Sequence, residues 1–324
     1  MQRTKIVGSR LDHVIGIAAA SSVVNQKNLQ HSLDRFARWG VPVAVAEQVR
    51  MTKRYLAGPD EARAAALDVF ARDPLVGTVW CARGGYGATR LLPLLDAAGT
   101  ARAWARNPKL LIGYSDVTAL HLYLYHHLKI PSLHAMMPGT PRFATMSPRM
   151  DRRLRATLAG KLDVGQESHT SAWRPRRLCG PSRASEGVLL GGNLSLVASL
   201  AGTPWLRDLR GKILFLEDCG ERPYRVDRML QQLSSAGLLK GLAGVLLGDF
   251  FADVEYQEKG EKRYWREMFL EHLEPLGVPV LERLPVGHGR DNEPLPLGVR
   301  YAITKQGKIL LLEQPVTEKA SRSR

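Results

Sequence analysis

The chain has 324 residues, of which 44% are hydrophobic and 24% are charged. This length suits two domains, and the composition is that of a folded globular protein rather than a disordered one. No apolar run approaches the ~20 residues that span a bilayer, so no membrane association is expected. The three cysteines form no C-x-x-C pair, which argues against a disulfide framework or a zinc site and favours a reducing, cytoplasmic compartment.

The formal net charge is +15 and the sequence pI is about 10.0, a balance that raises the hypothesis of nucleic-acid binding. The basic residues are scattered over the chain, however, and neither aromatic-basic interleaving nor a nucleic-acid motif appears. We therefore interpret the charge as a solvated basic surface whose long-range field attracts acidic substrates, and no nucleic-acid partner is expected.

The first 135 residues alternate strands and helices. Strands are predicted at Val14–Ala18, Val41–Ala46, Val76–Ala82, Lys109–Gly113 and Ile130–His134. Helices are predicted at Gln26–Trp39, Asp60–Arg72, Ala88–Ala97 and Asp116–Leu128. The first apolar segment resembles a short signal peptide, but charged neighbours crowd it and we interpret it as a strand. Nearly continuous apolar strands joined by helices indicate a doubly wound parallel sheet, which binds ligands at the carboxyl ends of its strands.

Residues 141–185 are rich in proline and arginine, with one helix predicted at Pro148–Ala159, and are interpreted as the connection between a nucleophile domain (residues 1–140) and a C-terminal domain (residues 186–324). In the latter, strands are predicted at Gly187–Gly191, Lys212–Glu217, Gly244–Phe250, Pro279–Leu281, Arg300–Thr304 and Lys308–Leu312. Helices are predicted at Asn193–Ala201, Arg225–Ala236 and Arg263–Leu273. The expected fold is α/β: an amidotransferase- or flavodoxin-like parallel sheet followed by a smaller mixed α/β domain.

The segment LLIGYSDVTAL places Ser115 and Asp116 directly after a predicted strand. One interpretation is a strand-to-helix turn in which Ser115 or Asp116 caps the helix. The other is a nucleophile elbow, although Val117 stands where that motif has its second glycine. Local sequence alone favours the cap.

A glycine-rich loop, RGGYG, follows another predicted strand. It lacks the lysine of a phosphate loop and the spacing of a dinucleotide fingerprint. Its glycines could aim backbone N–H groups at a developing negative charge, or they could simply form a tight turn.

Two further segments contain groups that could support a nucleophile. Glu217 ends a predicted strand and could orient a histidine, whereas plain capping of the next helix by Asp218 or Glu221 is the local alternative. His288 lies between two glycines in a loop, which favours a functional role. The competing bases are His121, His126, His127 and His134. No metal-ligand spacing appears, and no metal is expected.

Five ordered blocks, between residues 83 and 298, resemble the LD-carboxypeptidases of serine peptidase family S66: RGGYGATRLLPLLD, LIGYSDVTALHL, GGNLSLVASLAGTPW, GKILFLEDCGERPYRVDRML and LPVGHGRDNEPLPLG. The resemblance implies Ser115 as nucleophile, His288 as general base and acid, and Glu217 as the residue that orients His288. It also implies an oxyanion hole formed by the backbone N–H groups of Gly85 and Asp116.

The implied activity is cofactor-free release of the terminal D-alanine from a murein tetrapeptide during cell-wall recycling, by a cytoplasmic homodimer. Tyr86, Arg222 and Arg225 are candidate contacts of this muropeptide substrate. An alternative within the family is an immunity-type peptidase that cleaves a peptidyl- or aminoacyl-adenylate antibiotic. An alternative of another class is a non-catalytic basic binding module.

Overall fold

The computed structural model describes residues 6–165, 173–253 and 262–317. The strands are β1 (Ile6–Val7), β2 (Val14–Ala18), β3 (Val43–Val45), β4 (Val76–Cys81), β5 (Leu110–Gly113), β6 (Ser132–His134), β7 (Arg176–Cys179), β8 (Ser185–Asn193), β9 (Lys212–Glu217), β10 (Gly244–Leu247), β11 (Val280–Glu282), β12 (Leu295–Leu297), β13 (Arg300–Ile303), β14 (Ile309–Leu311) and β15 (Val316–Thr317). The α-helices are α1 (Gln26–Trp39), α2 (Asp60–Arg72), α3 (Leu92–Ala98), α4 (Thr100–Arg106), α5 (Thr118–Leu128), α6 (Pro141–Ala144), α7 (Pro148–Leu158), α8 (Leu194–Ser199), α9 (Pro223–Ser235) and α10 (Lys262–Leu273). None of these helices combines the length and the apolar character needed to cross a membrane.

Contacts between described residues divide the chain into two compact units. The first contains the described residues up to Leu162, together with Pro294–Pro296 and the described residues from Gln314 onward. Its main sheet has the strand order β12-β6-β5-β4-β2-β3, and the five strands from β6 to β3 pair in parallel. A parallel sheet whose strand order reverses binds ligands where the reversal occurs, here at the carboxyl ends of β2 and β4.

Local sequence explains why these elements form. Every residue of β4 and β5 is buried, as expected for strands that helices cover on both faces. Helix α1 begins where the Asn25 side chain accepts a hydrogen bond from the N–H of Asn28 (3.0 Å), and it ends at Gly40 in the left-handed conformation. These caps agree with the predicted helix bounds.

The second unit spans the described residues of Asp163–Glu293 and Leu297–Glu313. Its seven-stranded sheet has the order β14-β13-β8-β9-β10-β11-β7. The four central strands run parallel, and antiparallel strands flank them on both sides. The predicted fold class, a parallel N-terminal sheet followed by a mixed C-terminal one, is confirmed. Strand β9 lies in the interior of the second sheet and ends at Glu217.

Several elements differ from the sequence-based expectation. Helix α4 and strands β7 and β12 were not predicted, and β7 lies within the stretch interpreted as a connection, where it pairs with β11 at the sheet edge. The predicted helix at Ala88–Ala97 is divided into a 3-10 turn (Ala88–Leu91) followed by α3.

Candidate active site

Ser115 stands at the turn between β5 and α5. It opens a short 3-10 helix (Ser115–Val117) and has a φ of +62°, a left-handed conformation that costs a non-glycine residue about 1–2 kcal/mol. Neither Ser115 nor Asp116 caps a helix with its side chain, since the cap positions are Tyr114 and Val117 and neither forms a side-chain cap bond. The plain capping interpretation is therefore wrong. The turn leaves the Ser115 side chain half-buried at the carboxyl end of a buried strand.

The glycine-rich loop after β4 lies against this turn. A Cβ atom at Gly84 would lie 3.0 Å from the Ser115 Cβ. Gly85 has a φ of +108°, and a Cβ there would lie 2.8 Å from the Ser22 Cβ and closer still to the Ser22 Oγ, so only glycine fits. The Ser22 Oγ accepts a hydrogen bond from the N–H of Tyr86 (3.2 Å). Gly85 itself is exposed, and its N–H has no acceptor among the described residues.

The Asp116 carboxylate connects the loops after β2 and β4. It is buried and accepts hydrogen bonds from the Ser21 hydroxyl (2.6 Å) and the N–H of Ala88 (2.8 Å). Burial raises the pKa of Asp116 despite these bonds. Its backbone N–H belongs to the first turn of a helix, where N–H groups have no partner within the helix.

Ser21 and Ser22 were not singled out from the sequence. Their only signal is their position directly after β2, at the strand-order reversal of a doubly wound sheet.

Glu217 and His288 form a hydrogen-bonded pair in the second unit. The His288 Nδ1 lies 2.7 Å from the Glu217 Oε2, the Glu217 side chain is fully buried, and the His288 side chain is 15% exposed. A carboxylate at Nδ1 makes that nitrogen the donor and leaves Nε2 as the basic atom. Burial opposes protonation of His288, but the Glu217 charge and hydrogen bonds to Cys219 and Glu217 outweigh it and raise the pKa of His288.

The glycine before His288 brings the loop close to Glu217. Gly287 has a φ of +124°, and a Cβ there would lie 2.8 Å from the Glu217 Oε2. Its N–H donates to the Asn292 Oδ1 (3.2 Å), a hydrogen bond that links the two ends of the loop around His288. A side chain at position 287 would separate the pair, which accounts for the glycine.

Asp218 does not cap α9, contrary to one local interpretation of the acidic stretch. Its buried carboxylate accepts hydrogen bonds from the Asn193 amide (2.8 Å) and from the N–H and hydroxyl of Ser195 (2.9 and 2.7 Å). Burial and the neighbouring Glu217 charge raise the pKa of Asp218. Asp218 thus anchors the first turn of α8 beside the end of β9.

The competing reactive groups have structural roles. The His121 Nε2 lies 3.0 Å from the Gly113 carbonyl oxygen, and burial lowers the pKa of His121 to about 3, so its imidazole stays neutral. The His134 ring is buried against Tyr114, with 5.6 Å between ring centroids. Burial raises the pKa of Cys81 to about 12, which keeps that thiol protonated. In the described parts of the chain, no cluster of histidine, cysteine and carboxylate side chains could hold a metal ion.

The candidate substrate contacts are placed on both units. Tyr86 is exposed in the first unit and packs edge-on against Tyr55 (5.9 Å between centroids), a neighbour that sequence reasoning missed. In the second unit, Arg222 is the N-cap residue of α9. Arg225 is exposed and pairs with Glu221 at 3.5 Å.

Comparison with known proteins identifies relatives across most of the chain. The model of the LD-carboxypeptidase N-terminal domain matches residues 15–135, and that of the C-terminal domain matches residues 186–303. The murein tetrapeptide carboxypeptidase of Pseudomonas aeruginosa is 33% identical over 89% of this chain and 92% of its own length. A crystal structure of muramoyltetrapeptide carboxypeptidase from Oxalobacter formigenes superposes with a TM-score of 0.74 and 31% identity, covering 92% of this chain and 97% of that one. The microcin C7 self-immunity protein MccF gives a TM-score of 0.81 at 22% identity, over 97% of this chain and 100% of that one, which shows a shared fold.

These matches place the protein among the serine-type carboxypeptidases, a class of hydrolases. The chain belongs to the LD-carboxypeptidase family, peptidase family S66.

Proposed function

We propose that the protein releases the terminal D-alanine from murein tetrapeptides by cleaving the bond between the L-centre of meso-diaminopimelate and D-alanine, a step of cell-wall recycling. The observation that carries this proposal is the 2.7 Å hydrogen bond between Glu217 and His288, because such a pair activates a serine hydroxyl as a nucleophile. The names of the Pseudomonas and Oxalobacter relatives supply the substrate class.

In this mechanism the Ser115 Oγ attacks the carbonyl carbon while the Nε2 of His288 takes its proton. The backbone N–H groups of Gly85 and Asp116 bind the oxyanion of the tetrahedral intermediate. His288 returns the proton to the nitrogen of D-alanine as the C–N bond breaks, leaving an acyl ester on Ser115. A water molecule then gives a proton to His288 and attacks the ester. As the C–O bond to Ser115 breaks, His288 returns that proton to the Ser115 Oγ and the tripeptide is released. Glu217 stays ionised throughout and stabilises the imidazolium, and no cofactor takes part.

A carboxypeptidase must also bind the free carboxylate of the leaving residue. Arg222 and Arg225, at the beginning of α9, are the proposed cationic partners, and the exposed ring of Tyr86 is a proposed contact of the peptide. In this proposal the nucleophile and oxyanion donors belong to the domain of residues 1–140, residues 141–185 are the connection, and the domain of residues 186–324 supplies the glutamate and histidine.

Two alternatives follow from other observations. The microcin C7 self-immunity protein MccF of Escherichia coli is 25% identical over 92% of this chain, which favours hydrolysis of a peptidyl- or aminoacyl-adenylate as the second candidate. The net charge of +15 is the basis for a non-catalytic binding module. We further propose a cytoplasmic homodimer, from the unpaired cysteines and the family resemblance.

Ser115→Ala tests the proposal. The tetrapeptide L-Ala-γ-D-Glu-meso-diaminopimelate-D-Ala is incubated with the unmodified protein and the variant, and the products are identified by mass. The unmodified protein should yield tripeptide and D-alanine, and Ser115→Ala should lower kcat by about 10⁶ with an unchanged circular dichroism spectrum, as loss of the nucleophile does in subtilisin. Ser234→Ala, at an exposed serine of α9, is the matched control and should retain full activity. Retention of more than about a hundredth of kcat by Ser115→Ala would remove Ser115 as nucleophile, because nucleophile loss costs far more than this.

A further inference from the structure

The second unit contains a cavity at the carboxyl ends of β10 and β11. Its volume is about 510 Å³, within the range of roughly 300–1,000 Å³ typical of small-molecule sites. The segment at the end of β10 (Leu247–Asp249) and Leu284 line it together with four aromatic side chains. These aromatic residues, which define the aromatic cavity, are Phe250, Phe251, Trp265 and Phe269.

Trp265 belongs to the buried part of the cavity wall. The side chain is 2% exposed and its ring lies 5.4 Å from Phe251 and 6.0 Å from Phe269 between centroids. The indole Nε1–H is buried and has no hydrogen-bond partner among the described residues. Because this nitrogen has no accessible surface, Trp265 contributes to the packing of the cavity wall rather than to hydrogen bonding with a ligand.

The charged residues around the cavity leave a positive surplus. Arg176 and Glu282 pair with each other at 2.5 Å. The Asp249 carboxylate is held by the N–H groups of Phe251 and Ala252, both at 2.9 Å. The remaining charges are two exposed arginines for which no described carboxylate forms an ion pair: Arg266 and Arg283. Three arginines against two carboxylates favour an anion.

The aromatic cavity is distinct from the Glu217–His288 pair, because neither residue lines it. The backbone that lines the cavity nonetheless contacts the strand that ends at Glu217 and the loop that precedes His288. The N–H of Gly248 donates to the Leu216 carbonyl oxygen (2.8 Å), and the N–H of Asp249 donates to the Val286 carbonyl oxygen (3.0 Å).

We infer that the aromatic cavity is a second ligand site, which binds an organic anion with an aromatic ring system. The ring would pack against Phe251, which is 57% exposed, and the carboxylate or sulfonate would face Arg266 and Arg283. This site is independent of the proposed peptidase activity.

The test uses 8-anilinonaphthalene-1-sulfonate, an aromatic anion whose fluorescence rises in apolar surroundings, titrated into the intact protein. We expect one saturable site, and weak binding of the uncharged N-phenyl-1-naphthylamine. Arg266→Gln should weaken sulfonate binding about fivefold, the loss of roughly one hydrogen bond. Arg263→Gln is the matched control, since Arg263 lies on the same helix but does not line the cavity, and it should leave binding unchanged.

Three results would overturn the inference. They are the absence of saturable binding, equal weakening by Arg263→Gln and Arg266→Gln, and loss of binding in Arg225→Gln with retention in Arg266→Gln, which would place the probe near α9 instead. Circular dichroism of each variant excludes unfolding as the cause, and the measurement requires no turnover.

Discussion

His288 experiences opposing influences that set the pH at which it can act. Burial disfavours the imidazolium, whereas the Glu217 carboxylate and the hydrogen bonds to Cys219 and Glu217 favour it, and the net effect raises the pKa of His288 above its usual 6.5. A general base must be neutral before it takes a proton. The competent fraction of the enzyme should therefore increase as the pH rises above the usual histidine pKa.

Replacing Glu217 with glutamine tests this at the scale of one residue. The amide keeps the shape but removes the charge and no longer selects the imidazole tautomer with a basic Nε2, so kcat should fall by about 10⁴. The pKa of His288 should fall as well, which moves the acidic limb of the kcat/KM profile to lower pH. Both are measured by steady-state kinetics over the pH range in which the protein stays folded.

The stability of the same variant provides an independent readout. Because the folded-state pKa of His288 is raised, the pair stabilises the fold fully below the unfolded pKa of about 6.5 and loses this contribution as pH rises through the folded-state pKa. The difference in unfolding free energy between the unmodified protein and Glu217→Gln should therefore shrink toward alkaline pH. In the kinetic measurement, a pH–rate profile of Glu217→Gln that shifts in pH while its maximum rate is kept would instead assign Glu217 the role of a general acid.

At the scale of elements, the loops after β2 and β4 are joined at the point where strand order reverses. The Ser22 N–H donates a hydrogen bond to the glycine-rich loop, and the Ser22 hydroxyl accepts one from it. The Asp116 carboxylate accepts a hydrogen bond from Ser21, in the loop after β2, and another from Ala88, after β4. The proposed oxyanion donors are thereby held by strand ends rather than by a free loop, as preorganised donors require.

Gly85→Ala should disturb this arrangement. The new Cβ would collide with Ser22 and would force a side chain into a φ of +108°. Displacing one oxyanion donor lowers kcat by about 10²–10³. The double variant Gly85→Ala/Ser22→Gly removes the collision and should recover part of the loss, as measured by kcat on the tetrapeptide.

The comparison with Gly165→Ala separates the two effects of the substitution. Gly165 has a similar positive φ (+75°) but no atom within 4 Å of an added Cβ, so only stability should change there. Equal kcat in Gly85→Ala and the unmodified protein would contradict an oxyanion role for this loop.

The elements that sequence predicted well have strong local signals. Helices α1 and α2 and strands β2 and β9 have their predicted bounds, because caps, prolines and unbroken apolar runs mark their ends. Helix α4 was missed because Gly99, in the left-handed conformation, ends α3 and immediately precedes a new helix.

Strands β7 and β12 depend on tertiary pairing that no local pattern reports. Strand β7 is short, basic and preceded by a proline, and β12 contains Pro296; both lie at sheet edges, where a strand tolerates proline. By contrast, the candidate residues that end predicted strands could be found from sequence, because the strands themselves have local signals. Ser21 and Ser22 could not, because their significance depends on which strands are neighbours.

At the scale of the whole molecule, the net charge of +15 should matter for encounter with substrate. The murein tetrapeptide has more carboxylates than amines, and the screening length falls from about 30 Å at 0.01 M salt to about 8 Å at 0.15 M. We expect kcat/KM to fall several-fold over this range while kcat stays constant, because the field acts on association. Thermal unfolding over the same salt range is the control. A kcat/KM independent of salt would mean that the basic surface does not attract the substrate.

Stereochemistry tests the central claim, that this chain is an LD-carboxypeptidase, most directly. The measurement is kcat/KM for three substrates in parallel: the tetrapeptide ending in D-alanine, its L-alanine epimer, and an aminoacyl-adenylate. Because a misplacement of about 1 Å can cost 10²-fold, the epimer's scissile bond should miss Ser115, and the D-alanine tetrapeptide should be preferred by about 10² or more. Equal release from both epimers, or efficient cleavage of the adenylate with none of the tetrapeptide, would contradict the account.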